Sequence, residues 1–133
     1  MAKLTDITTS VQTVTATGAV TPTAGVSISG MTADATIVVE VIQLSSAATA
    51  KLSLESSTIS FSSVTSEWEI DIQGQIGQSS YTQNAYNPCS ARFSKRLYEI
   101  PNAPFGTASA LLRVNVLQLT AASSLSLHAW IEN

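Results

Sequence analysis

Apolar residues in this chain recur at every second position, and that period restricts the fold more than any other feature of the sequence. In SALLRVNVLQL (109–119), Leu112, Val114 and Val116 alternate with Arg113 and Asn115. In SLSLHAWIEN (124–133), Leu125, Leu127, Ala129 and Ile131 fall on one face, with Ser126, His128, Trp130 and Glu132 on the other. SEWEIDIQG (66–74) sets Trp68, Ile70 and Ile72 against Glu67, Glu69 and Asp71. Successive side chains of a strand point to opposite faces, whereas an amphipathic helix needs apolar spacings of three and four, which are almost absent here.

The same pattern predicts further strands in TTSVQTVTATGAV (8–20), AGVSISG (24–30), AKLSLES (50–56), TISFSSV (58–64) and SARFSKRLYEI (90–100). ATIVVEVIQL (35–44) is apolar on both faces except at Glu40, as expected of a central strand buried on two sides or of one side of an interface. Residues 74–90, beginning GQIGQSSYTQNAYNP, have few apolar residues and no period, and read as a long loop. Pro22, Gly25, Gly30 and PNAPFG (101–106) mark turns. About eight or nine short strands without helices predict an all-β fold. The expectation is a single-domain antiparallel β-sandwich over 1–133, jelly-roll-like, with 1–20 as an N-terminal arm or the first strand. Alternation alone does not separate a sandwich from a small barrel.

Charged residues make up only 11% of the 133 positions, against a usual share of about 25%. The surface therefore falls to 20 serines and 16 threonines, which solubilise without long flexible side chains, threonine also favouring strands. A net charge of −3 offers no long-range attraction to phosphate backbones or anionic lipid, so neither nucleic acid nor membrane is expected as a partner. The first ten residues lack an apolar run behind Lys3, and no later stretch approaches the ~20 apolar residues of a membrane span. With one cysteine and no Asn-x-Ser/Thr sequon, the chain reads as a product of a reducing cytoplasm.

Groups that carry chemistry are sparse. His128 is the only histidine and is expected at the surface, where it lacks the base-and-orienter arrangement that nucleophilic catalysis needs. Cys89 follows Pro88 and reads as a small, partly buried thiol. Glu67, Glu69 and Asp71 project in parallel along a strand instead of converging on one cation, and no calcium-loop pattern accompanies them. The expectation is a non-enzymatic protein with no cofactor and no metal.

Charge is nevertheless segregated. Arg92, Lys95 and Arg96 lie within ARFSKR, while Glu67, Glu69 and Asp71 lie within EWEID. Such clusters either pair between neighbouring strands of one subunit or pair across a subunit boundary. Tyr81 and Tyr86, with Asn84 and Asn87, give the 74–90 segment the composition of a binding loop, and Trp130 adds a surface for stacking.

SALLRVNVLQLTAASSLSLHAWIEN (109–133) resembles the C-terminal strand pair of small β-sandwich capsid decoration, or cement, proteins of tailed bacteriophages. That resemblance implies a jelly-roll-like fold and a homo-oligomer, a trimer above others. It also implies attachment to the major capsid protein on the virion surface after synthesis in the host cytoplasm. The alternative, from the loop composition, is a carbohydrate-binding, lectin-like module.

Overall fold

A computed structural model describes residues 3–28, 35–45, 48–73, 80–84, 87–88, 91–96 and 111–132, with side chains at 5–28, 35–45, 48–73, 92–96 and 111–132. Twelve strands and no helix occur among the described residues, arranged in two antiparallel sheets.

The first layer is built on β5 (Thr36–Ser45) and β12 (Leu125–Glu132), which pair from Leu125↔Leu44 to Glu132↔Thr36. β1 (Lys3–Asp6) and β2 (Gln12–Val14) follow one another along the other side of β12. Along the far side of β5 run β10 (Ala91–Arg96) and β8 (Ser80–Asn84), with β9 (Asn87–Pro88) paired to β8. The second layer holds β11 (Leu111–Leu119), β6 (Thr49–Ser57) and β7 (Thr65–Gln73) in that order. Its remaining edge is shared by β3 (Gly18–Ala19) and β4 (Val26–Ser27), both on β11.

If strand pieces that share an edge are taken as one position, each layer has four positions. The first reads β1/β2, β12, β5, β8/β10 and the second β3/β4, β11, β6, β7. Between positions the chain crosses to the other layer every time except at the β6–β7 hairpin, which is the jelly-roll order. The alternation seen in the sequence supplies the filling. Ile37, Val39 and Val41 of β5 and Leu125, Leu127, Ala129 and Ile131 of β12 meet Leu52 and Leu54 of β6 and Leu112, Val114 and Val116 of β11. Each is at most 2% exposed, and burying one such Val, Leu or Ile side chain contributes roughly 1.5–3 kcal/mol.

Several expectations are corrected. The N-terminal tract is a series of short strands instead of one; residues up to Val20 place β1 and β2 in one layer and β3 in the other. TISFSSV is a hairpin loop and no strand. The Ser57 hydroxyl accepts the N–H groups of Ile59 and Phe61, and Ser60 and Phe61 turn the chain at φ 56° and 62°. A side-chain hydroxyl thus takes the hydrogen bonds that a ladder would use. Within the expected 74–90 loop, Ser80–Asn84 and Asn87–Pro88 are strands, the first held by pairing to β5 and the second by pairing to the first, which period-two patterning does not report.

Candidate functional site

The basic and acidic clusters occupy facing strands at one flank of the sandwich. β10 is an edge position of the first layer and β7 of the second. In β10, the pairing Lys95↔Ile37 turns Lys95 inward, while Arg92, Ser94 and Arg96 point outward and are exposed. In β7, Trp68, Ile70 and Ile72 face the core and Glu69 and Asp71 are exposed. Lys95 Nζ lies 5.8 Å from the centroid of the Trp68 ring, closing the flank by a cation–π contact between layers.

Glu67 departs from the expected alternation. Leu54 pairs with Trp68 and Glu55 with Ser66, which leaves Glu67 as the extra residue of a β-bulge, half-buried instead of displayed with Glu69 and Asp71. Glu69 accepts from Ser66 Oγ at 3.3 Å and pairs with Lys51 of the neighbouring strand at 3.4 Å. Lys51, which the sequence did not single out, thus joins Glu69 at this flank.

Arg92 turns away from the acidic strand. Its guanidinium spans β5 to reach Glu132 at 3.1 Å and Glu40 at 4.0 Å, and lies 5.3 Å from the Trp130 ring centroid. Trp130 Nε1 donates to the same Glu132 carboxylate at 2.9 Å, and its ring packs 4.8 Å from His128. This corrects the expected exposure, though not the facing, of Trp130, which is 8% exposed, and of His128, whose side chain is 13% exposed. Both do lie on the outer face of β12, but β1 and β5 flank them and Arg92 covers the indole. His128 Nε2 lies 2.9 Å from Asp6 Oδ1, tying the first strand to the last.

A third cluster was not singled out in the sequence. On the outer face of the second layer the Glu55 carboxylate, 7% exposed, accepts from Arg113 Nε at 2.9 Å and from Asn115 Nδ2 at 2.8 Å. Arg113 also donates to the Thr23 carbonyl at 2.9 Å and lies 4.1 Å from the Phe61 ring centroid. One arginine thereby holds together β6, β11, the 21–25 turn and the 58–64 loop. The only sequence signal was polar residues at alternate positions of two distant strands, which does not say that they meet.

Tyr81 lies in β8 opposite Leu44, β8 running between β5 and β9. Tyr86 and Cys89 fall outside the described residues. A pocket of about 280 Å³ opens on the outer face of the second layer, lined by Thr49, Asp71, Gln73 and Gln118 over the backbone of Ala50 and Ile72. No group of three or more His, Cys, Asp or Glu residues suited to a metal ion occurs among the described residues.

Comparison with protein-family models, with curated proteins and with solved structures finds no match to this chain. What the surfaces can do is therefore a matter of their chemistry. They offer pre-ordered hydroxyl, carboxylate and guanidinium groups on two rigid sheets.

Proposed function

We propose that this chain is a structural virion protein, a decoration or cement protein that attaches to an assembled phage capsid and stabilises it as a small symmetric oligomer, a trimer above others. The observation that carries this reading is the state of the outer faces. Their polar side chains are tied across strands before any partner arrives: Arg92 to Glu132, His128 to Asp6, Arg113 and Asn115 to Glu55, Thr13 to Ser126 and Ser53 to Ser66. Side chains already fixed lose little rotamer entropy on docking, which suits a protein whose task is static contact. The jelly roll is consistent with this role, being a fold of viral capsid proteins, but it also serves lectins and carries no function by itself.

The test is co-sedimentation of the purified chain with heads of the phage that encodes it. Saturable retention with the heads supports the reading, and protein left entirely in the supernatant at micromolar concentration contradicts it. A lectin-like role is the second reading, favoured by the pocket in which one carboxylate, two amides and a hydroxyl surround a shallow floor. Retention on a glycan panel that is lost in Asp71→Asn selects that reading instead.

A further inference from the structure

The flank formed by β7 and β10 combines two features that are rarely harmless together. Both strands are layer edges: among the described residues β7 pairs with β6 alone and β10 with β5 alone. An edge strand presents unpaired N–H and C=O groups and is a template for another chain. Here the two edges also carry opposite charge, with Glu69 and Asp71 exposed on β7 and Arg92 and Arg96 exposed on β10.

Within one copy these edges lie in different layers, joined through the core by Lys95 over Trp68. They therefore do not satisfy each other's backbone. Between copies they can. β10 runs antiparallel to β5 and β7 antiparallel to β6, and the chain reverses from β5 to β6 through a turn closed by Ala48 N donating to Ser45 O at 3.0 Å. β7 and β10 thus run in opposite senses. A rotation axis parallel to the strands, with each flank turned towards it, sets β7 of one copy antiparallel to β10 of the next.

We infer that this flank is the self-association surface of the chain, and that its partner is another copy joined acidic edge to basic edge. The charges select the register of association twice over. β7 against β7 opposes carboxylates and β10 against β10 opposes guanidinium groups, so like edges repel, while unlike edges attract. Acidic edge to basic edge is a head-to-tail contact, which forms a ring when the rotation between successive copies closes. Glu69, beside Lys51, keeps a side-chain exposure of 48% at the acidic edge, whereas the Arg92 guanidinium is drawn over β5 towards Glu132 and Glu40, so Arg96 is the guanidinium nearer the basic edge.

This deepens the proposed function by naming the surface that makes the oligomer, and it is tested apart from shell binding. Sedimentation velocity on the full chain compares the wild type, Glu69→Lys/Asp71→Lys, Ser94→Glu/Arg96→Glu, and the four substitutions together. The wild type is expected at a multiple of 13.9 kDa. Each double reversal should fall to the single-chain mass, and the combined reversal, which restores opposite edges, should recover the multiple. A wild type that stays a single chain, double reversals that keep the wild-type mass, or a combined variant that stays dissociated overturns the inference. The unaltered chain supplies an arm free of folding effects. Raising salt from about 0.05 to about 1 M shortens the screening length to roughly 3 Å, and the oligomer must dissociate in response; a salt-independent mass overturns the assignment. Failure of co-sedimentation with heads, by contrast, removes only the shell-binding role.

Discussion

At the scale of single residues, Glu55 carries more of the fold than its setting in AKLSLES suggests. Its carboxylate is buried and satisfied by Arg113 and Asn115, 58 and 60 residues further along the chain. Removing one partner of a buried charged pair leaves the other without its counter-ion. Glu55→Ala should therefore lower the unfolding free energy by roughly 2–3 kcal/mol, with Glu55→Gln closer to wild type. Urea unfolding followed by tryptophan fluorescence measures this, and an unchanged midpoint for the alanine variant refutes it. Gly25 is as constrained. Its φ is +79°, and a Cβ there would lie 2.6 Å from Phe61 Cε2 and 3.0 Å from the Leu112 carbonyl, so Gly25→Ala should cost about 1–3 kcal/mol. A melting temperature equal to wild type would show that the 21–25 turn yields freely. Gly25 was legible as a turn marker, whereas Glu55 was not singled out. Alternation tells which face a side chain takes but not whether another segment covers that face, and the same gap explains Trp130, buried at 8% on a face read as outward.

At the scale of elements, the final strands were the most legible part of the chain. β11 and β12 occupy the stretches their alternation indicates, with Leu112, Val114, Val116, Leu125, Leu127 and Ile131 in the core. β5 was legible for the complementary reason, since its apolar run reflects a strand with neighbours on both sides. The hairpin loop at 58–64 was not, because Ile59 and Phe61 copy a strand's spacing while Ser57 turns the backbone. The ends of the chain are also locked together, β1 pairing with β12 from Lys3↔Glu132 to Asp6↔Trp130. Ile131, fully buried two residues from the C-terminus, should cost roughly 2–5 kcal/mol on Ile131→Ala. Deleting residues 131–133 should abolish the cooperative thermal transition that calorimetry records for the intact chain. A truncated chain melting like the full one would place the stability elsewhere.

At the scale of the whole molecule, two layers with opposite charge at one flank form a unit suited to repetition. The segregation of ARFSKR from EWEID was visible in the sequence, but their meeting at one flank depends on the crossings that put β7 and β10 in different layers. Individually modest contacts, repeated around an axis, give multivalent attachment to a surface that is itself symmetric. Most directly, an electron cryomicroscopy reconstruction of phage heads incubated with the purified chain tests whether it is a shell-binding decoration protein. The expected result is added density of β-sandwich size at symmetry-related junctions between capsid subunits, with the β7/β10 flanks of adjacent copies turned towards each other. Heads that remain bare at saturating protein would contradict it.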